Sequence, residues 1–469
     1  MGSLLKNREK CELITPDQYC NKPLIYPLPN ATNLGDVLCN WELISPLCDP
    51  IQRNGGPLTR RPSPPGMRYH VINSYLSYLQ ESYTMKNKDK PMNEMPLMDV
   101  QGKNIVLFHP HMPARGIEYV TDTLKTRWIG QGPKVDLFEK NFSERFGRGN
   151  ASLAVGSGTD ALHLAYLLAD LKPGDEVVTP VFTCTATNIP FLYMGVKPVF
   201  ADVQAGTLNI DPQHVKRLVN EKTKAIVCVH YGGLPCDMTE LRAVADKWGI
   251  PIIEDAAHAL GATYKGVPVG AISEFTMFSF QAIKHITTGD GGMLTYKNDP
   301  ALHEKGKRLR WFGIDRSAKQ KGIWENDIVD IGYKYQMTDI SASLGLAALE
   351  EFDEILAHRK KLFRAYESGF AGVSGLSFIG GNYADREHAA WMCTVSVSDR
   401  EGLQKKLREF NIESSQVHYR NDRYSIFGGR RNDLPNMDAV EDRYLVLPLH
   451  TKMTIDDVGR VVEVIKRGW

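Results

Sequence analysis

From about Val106 onward, short apolar runs alternate with longer segments whose apolar residues recur at helical spacing. The runs are Ala151–Gly156, Glu176–Pro180, Pro198–Asp202, Ala225–His230, Pro251–Asp255 and Phe275–Phe278. Each is strand-length, rich in β-formers and bounded by turn residues, so each predicts a strand. Between them the periodicity predicts helices over Arg115–Thr126, Val135–Phe146 and Ala161–Leu171. Nearly continuous apolar strands separated by helical segments predict an α/β fold, a largely parallel sheet covered by helices. A longer helical pattern starts at Thr338, runs to Ala357 and continues toward Phe370. The remainder mixes a strand over Trp391–Val397 with helices over Glu401–Phe410 and Ile455–Lys466, the pattern of a smaller α+β domain.

Residues 1–104 have a different texture, broken by prolines in Asn54–Gly66 and ending near the charged Lys86–Pro91 stretch. One helix is expected at Tyr69–Tyr83, and no chemistry is evident. The expected division is therefore an N-terminal extension (1–104), a large α/β domain (105–350) and a small α+β domain (351–469).

Composition narrows the function. The chain has 469 residues, 42% of them hydrophobic and 24% charged, and a net charge of +1. That balance gives no electrostatic reason to expect nucleic acid or a membrane surface as partner. No apolar run approaches the roughly 20 residues that span a bilayer. The first residues lack a signal-peptide core, so a cytoplasmic protein is expected. Cys11, Cys20, Cys39 and Cys48 are spaced too widely for a standard zinc knuckle, and no metal site is expected. The sequons at Asn30, Asn141 and Asn150 carry no weight without secretion.

Three segments carry candidate chemistry. Gly156-Ser-Gly-Thr-Asp160 stands at a strand-to-helix junction, where small residues and free N–H groups suit a phosphate; Ser157 or Thr159 reads equally as a helix cap. It matches neither the dinucleotide nor the Walker pattern. Ile252-Ile-Glu-Asp-Ala-Ala-His258 ends an apolar strand with acids, where open α/β sheets bind ligands. Alternation sends Glu254 and Asp255 to opposite faces, so one of them can serve. A carboxylate there can keep the pyridine nitrogen of pyridoxal phosphate (PLP) protonated. Alone, Asp255 reads equally as a cap and His258 as a packed histidine. The third segment, Phe278-Ser-Phe-Gln-Ala-Ile-Lys284-His-Ile-Thr-Thr-Gly-Asp-Gly-Gly292, sets Lys284 in a polar loop with glycines where backbone must pass close to something. A lysine held there can form an imine with a carbonyl.

In that order the three segments resemble the DegT/DnrJ/EryC1/StrS family of PLP-dependent sugar aminotransferases. Further matches are Trp128-Ile-Gly130, Pro173–Val177, Gly195–Val199, Met337-Thr-Asp339, Val417-His-Tyr419 and Leu447-Pro-Leu-His450, covering residues from about 105 to the C-terminus. The resemblance implies the fold type I architecture, with a mainly parallel seven-stranded sheet. It implies that Lys284 carries the cofactor and moves protons, that Asp255 pairs with the pyridine nitrogen, and that His258 lies near the phenolic oxygen. Ser157, Gly158, Thr159 and Ser279 would bind the phosphate.

Some positions depart from the family pattern. Relatives often place an aromatic ring over the cofactor where this chain has Cys184, so Cys184 covers the ring or Phe182 swings in. Where relatives often reach the partner subunit's phosphate with Asn, this chain has Lys334. Trp128, Arg310, Arg316, His418, Tyr419 and Arg420 are the candidate substrate residues, from segments dense in Arg, Asp and aromatics. The implied activity moves an amine from glutamate or glutamine to a keto-sugar, a nucleotide-linked 4-keto-6-deoxyhexose, in two half-reactions by a homodimer with shared sites. The alternatives are a sugar dehydratase of the same fold, whose relatives carry His in place of Lys284, and a non-catalytic scaffold.

Overall fold

The computed structural model describes residues 104–469 apart from 317, 319–321, 324, 326 and 382. The helix expected at Tyr69–Tyr83 and the four N-terminal cysteines lie outside the described residues.

The six expected strands and a seventh, unexpected one at Gly292–Tyr296 form one sheet. They are β1 (Ala151–Val155), β2 (Glu176–Pro180), β3 (Lys197–Ala201), β4 (Thr223–Val229), β5 (Ile252–Asp255), β6 (Phe275–Ser279) and β7 (Gly292–Tyr296). Their order is β1-β7-β6-β5-β4-β2-β3. Only β7 runs against its neighbours; the other pairings are parallel. The strands read as continuous apolar runs because both faces are covered. Side chains alternate between two cores. Leu153, Met277 and Leu294 join Ala161 and Leu164 of the helix Gly158–Leu168, whereas Ala154, Phe278 and Met293 join Phe138, Phe142 and Leu346 from the opposite layer. The parallel strands β2, β5 and β6 end along one edge, the position where such sheets bind ligands.

A second, antiparallel sheet of β8 (Leu376–Ile379), β9 (Cys393–Val397) and β10 (Tyr444–Leu447) packs with the helices Phe352–Gly369, Arg400–Glu409 and Ile455–Lys466 around one apolar cluster. A two-residue pairing, Phe182–Thr183 with Tyr419–Arg420, ties the C-terminal segment to the rim of the large sheet. That pairing carries His418 toward the large sheet's ligand edge.

Two helices differ from expectation. The pattern beginning at Thr338 is two helices, Asp339–Glu350 and Phe352–Gly369, parted at Glu351 (ψ −1°). The Glu351 carboxylate is drawn aside by the Ala114 N–H at 2.7 Å and His111 Nε2 at 2.8 Å. Periodicity sees the apolar stripe on either side of such a break but not the distant partners of the residue between. The helix from Pro133 ends at Phe142 and continues as one π-turn, Ser143–Gly147. There Phe142 and Phe146 pack with centroids 4.7 Å apart, and the Ser143 hydroxyl donates to the Asn150 carbonyl.

Candidate active site

The cradle forms where β1 meets its helix. The Ser157 hydroxyl accepts the Asp160 N–H at 3.0 Å and caps the helix Gly158–Leu168. Ser157 thus fixes the helix N-terminus, and its hydroxyl hydrogen stays available as a donor. Gly158 follows, and a Cβ there would lie 2.9 Å from Met277 Cε and 3.0 Å from Ser279 Cβ. The backbone is therefore pressed against the end of β6, where the Ser279 hydroxyl sits. Gly292 explains the glycine-rich run: its Cβ would meet the Ser157 carbonyl oxygen at 2.4 Å. What passes close to Gly292 is the cradle itself, whereas a Cβ at Gly291 would meet Thr288 Oγ1 of its own loop. A helix N-terminus flanked by the Ser279 hydroxyl and partly buried Thr159 favours a phosphate group.

Gly158→Ala should therefore weaken PLP binding by roughly ten- to a hundredfold, from an overpacking cost of about 1–3 kcal/mol. Titration of PLP into cofactor-free protein measures this, and an unchanged affinity would remove Gly158 from the cradle.

β5 ends in two buried acids that face opposite ways. Glu254 accepts the Ser273 N–H at 2.9 Å, lies 2.8 Å from His230 Nε2, and accepts the Thr276 hydroxyl at 3.2 Å. Asp255 accepts the Thr187 hydroxyl at 2.8 Å and the Ala257 N–H at 3.1 Å. Thr187 is braced by Thr183 Oγ1 at 2.7 Å and by the Tyr166 hydroxyl, which donates to its carbonyl at 2.8 Å. Burial pushes the Asp255 carboxyl up, while Thr187, Ala257 and the Lys284 charge hold it down. Each carboxylate oxygen retains a lone pair for a further donor.

Lys284 follows β6 in a loop closed by the Thr288 N–H and Thr287 hydroxyl, both donating to the Phe280 carbonyl at 3.0 and 3.1 Å. The lysine is 9% exposed, and its Nζ lies 3.6 Å from the centroid of the Trp391 ring. Burial lowers its pKa to about 8; Asp255 and Cys184 oppose that shift, and Arg359 adds to it. The Trp391 indole N–H donates to the Ile283 carbonyl at 3.0 Å, and its ring stacks on His258 with centroids 3.9 Å apart. His258 Nε2 lies 3.2 Å from His418 Nε2, and His258 Nδ1 is buried with no partner. Burial lowers both imidazoles, His418 to about 3 and His258 well below its ordinary value, so both are neutral at physiological pH. His285 turns away, its Nε2 2.7 Å from the Ala389 carbonyl.

Cys184 starts the helix Thr185–Tyr193 and is partly exposed. Phe182 is committed to a core with Tyr231 and Tyr444, at 5.2 and 5.0 Å. Lys334 is exposed and lies 3.8 Å above the Trp311 ring. Trp128 and Tyr419 are half-buried beneath the guanidinium groups of Arg127 and Arg423. Arg316 donates to the Gln131 carbonyl and lines a mixed-charge cavity of about 320 Å³ with Asp136 and Trp311.

Arg310 and Arg420 depart from the substrate-site expectation. Arg310 is buried against Glu139 and donates to the Ala154 carbonyl at 2.8 Å. Arg420 is fully buried, and its five donors meet Asp422, Asp438, Glu441 and the Arg431 carbonyl. Both hold the fold together at the places where sequence alone suggested ligand recognition. Trp391 and Thr187 were not foreseen, since neither stands in a recognisable motif. Among the described residues, Cys228, His230 and Cys236 are close enough to share a metal. Both His230 nitrogens are already engaged, by Glu254 and by the Cys236 N–H at 3.1 Å, and Cys236 Sγ donates to the Val229 carbonyl.

A buried amine, a strand-end carboxylate, a glycine cradle at a helix N-terminus and an orphaned imidazole nitrogen together define a PLP-binding site, and the residues fit that cofactor. The chain belongs to the DegT/DnrJ/EryC1/StrS aminotransferase family, whose sequence profile matches residues 110–466. The spore coat polysaccharide biosynthesis protein SpsC of Bacillus subtilis is 37% identical over 367 residues, 75% of this chain and 93% of its own. The UDP-4-amino-4-deoxy-L-arabinose–oxoglutarate aminotransferase of Shewanella sediminis is 32% identical, covering 76% of this chain and 96% of its own. Among solved structures, Spr1654 of Streptococcus pneumoniae in its PMP form is 34% identical with a TM-score of 0.73, covering 78% of this chain and 98% of its own; a PLP form is similar as well. The protein is thus a PLP-dependent sugar aminotransferase with a mainly parallel α/β fold. None of its described helices is long and apolar enough to cross a membrane.

Proposed function

We propose that the protein transfers the amino group of glutamate to the carbonyl of a nucleotide-linked keto-sugar of the 4-keto-6-deoxyhexose type, in the cytoplasm. The observation that carries this reading is the Lys284 amine, buried beside Trp391 with a pKa near 8 and facing the field of Asp255. PLP, when bound, supplies a carbonyl for imine chemistry and a ring that accepts electrons. Lys284 would hold the cofactor covalently and, in each half-reaction, carry the proton between the substrate carbon and the cofactor. Asp255 would keep a proton on the pyridine nitrogen, and Thr187 would fix the carboxylate's angle. His258 Nδ1 would meet the phenolic oxygen. Gly158, Thr159 and Ser279 would seat the phosphate, and Cys184 would cover the ring.

The Shewanella relative's name joins a UDP-linked amino-sugar to oxoglutarate, which supports both a nucleotide-linked acceptor and glutamate as donor. Two copies of the chain would complete each other's sites through Lys334. The exposed apolar side chains of Ile328, Val329 and Ile331 nearby suit burial between copies. The dehydratase reading loses support because His285 is tied to the Ala389 carbonyl.

Borohydride reduction followed by peptide mapping should find the cofactor on Lys284. Incubation with glutamate and UDP- or dTDP-linked 4-keto-6-deoxyhexoses should yield an amino-sugar and 2-oxoglutarate. A deoxygenated keto-sugar product, or no incorporation of PLP, would overturn the proposal.

A further inference from the structure

Arg359, on the helix Phe352–Gly369, is among the largest fully buried side chains, 1% exposed. Its Nη1 donates to the carbonyls of Leu449 at 3.1 Å and Trp391 at 3.4 Å, and its Nε has no partner. No ion pair to Arg359 is found among the described residues, and burial alone lowers its pKa to about 10. A guanidinium taken out of water without an acid is costly, and an apolar side chain of similar volume would pack there at lower cost. The charge therefore needs a consequence elsewhere. One carbonyl that Arg359 holds belongs to Trp391, whose ring lies against Lys284 Nζ and whose indole N–H fixes the Ile283 carbonyl beside it.

Arg359 acts on Lys284, His285 and His450, lowering the proton affinity of all three. Around Lys284, Asp255, Cys184 and the face of the Trp391 ring favour its charged form, while His258, His285 and His418 are buried neutral imidazoles.

We infer that Arg359 is a positioning residue of the transfer reaction: a buried cation without a carboxylate that fixes Trp391 against Lys284 and disfavours a second positive charge there. The inference rests on the role proposed for Lys284. Arg359 touches neither reactant; it acts through the Trp391 platform and through its charge.

The test compares Arg359→Gln, which keeps N–H donors without charge, Arg359→Met, which removes both, and Arg359→Lys, which keeps the charge. The readout is the pH midpoint for PLP capture by cofactor-free protein, followed by the absorbance of the bound cofactor, alongside kcat and KM. In Gln and Met the midpoint should rise by a few tenths of a pH unit, slowing capture at neutral pH by about twofold. Arg359→Lys should stay near the wild-type midpoint, and the lost activity in Gln and Met should fall on kcat with donor KM little changed. A folded Arg359→Gln with an unmoved midpoint overturns the inference and leaves a purely structural arginine. If neither Gln nor Met folds, Arg359→Lys decides: a wild-type midpoint with kcat retained where Gln and Met fail to fold is expected, and a raised midpoint overturns the inference. Borohydride mapping of the wild type is done first. Label elsewhere than Lys284 removes the underlying site assignment, whereas label on Lys284 with unmoved variants removes only this inference.

Discussion

Replacing Lys284 with methionine is expected to lower turnover by at least about 10⁴-fold while stabilising the cofactor-free protein at neutral pH. Positioned acid–base catalysis alone contributes about 10²–10⁴-fold, and covalent capture of the cofactor is lost as well. The stability effect follows from the same burial that makes the amine reactive. The folded-state pKa is lowered from 10.5 to about 8. Below pH 8 the amine is protonated in folded and unfolded chains alike, and the fold carries the whole cost of the buried charge, about 3 kcal/mol. Between about 8 and 10.5 only the unfolded chain still binds the proton, so that cost is relieved as pH rises. Methionine keeps the contact with Trp391 and carries no charge, so its stability should lack this slope. Urea unfolding of both cofactor-free proteins at pH 7 and pH 10 reads the difference directly. A variant less stable than wild type at pH 7 would show that Lys284 is not strained, and one that still turns over would show that it is not central. An active-site residue that weakens the fold is the expected trade between function and stability.

Which parts of this site were legible in the sequence follows from what fixes each of them. The strands were legible because each is covered on both faces, leaving no polar alternation to blur the run. That one acid at the end of β5 can serve was legible because strand period and strand end act together, at the carboxyl edge where ligands sit; choosing Asp255 over Glu254 took the family resemblance. Lys284 stood out through its loop, and the last glycine of that loop, Gly292, is required because the Ser157 carbonyl passes where a side chain would be. Trp391 was hidden because its partners, Lys284, His258 and Ile283, lie far away in the chain. Arg310 and Arg420 were misjudged because Arg next to Asp and aromatics looks alike in a sugar site and in a buried ion-pair hub. Only tertiary packing separates the two, and Arg420 shows it with every donor met inside the protein. Ser157 illustrates a different case, in which cap and phosphate readings share one residue: the hydroxyl oxygen caps the helix and the hydroxyl hydrogen stays available as a donor.

Asp255→Asn is the second substitution expected to act strongly, lowering turnover by about 10²–10³-fold with cofactor still bound, the scale seen when one electrostatic contact is removed from a reacting centre. An amide matches the carboxylate in size but is neutral, so it cannot hold a proton on the pyridine nitrogen and the ring loses its pull on electrons. It also has one acceptor oxygen where Asp255 has two, so the Thr187 hydroxyl and the Ala257 N–H cannot both keep their present partners. Glu254 cannot substitute, because it faces the other side of the sheet and is held by His230 and Ser273. The measurement is single-turnover reduction of bound-cofactor absorbance by glutamate, with PLP affinity determined separately. Near-wild-type rates in Asp255→Asn would place the pyridine nitrogen elsewhere. Stability gives an independent check. Burial raises the Asp255 pKa, so the folded chain binds a proton more readily than the unfolded one and loses stability as pH rises through that range. Asp255→Asn should remove that loss. Lys284 and Asp255 each soften the other's burial, so combining Asp255→Asn with Lys284→Met should stabilise the cofactor-free protein by more than the two single effects summed. Strict additivity would mean that the amine and the carboxylate do not share one site.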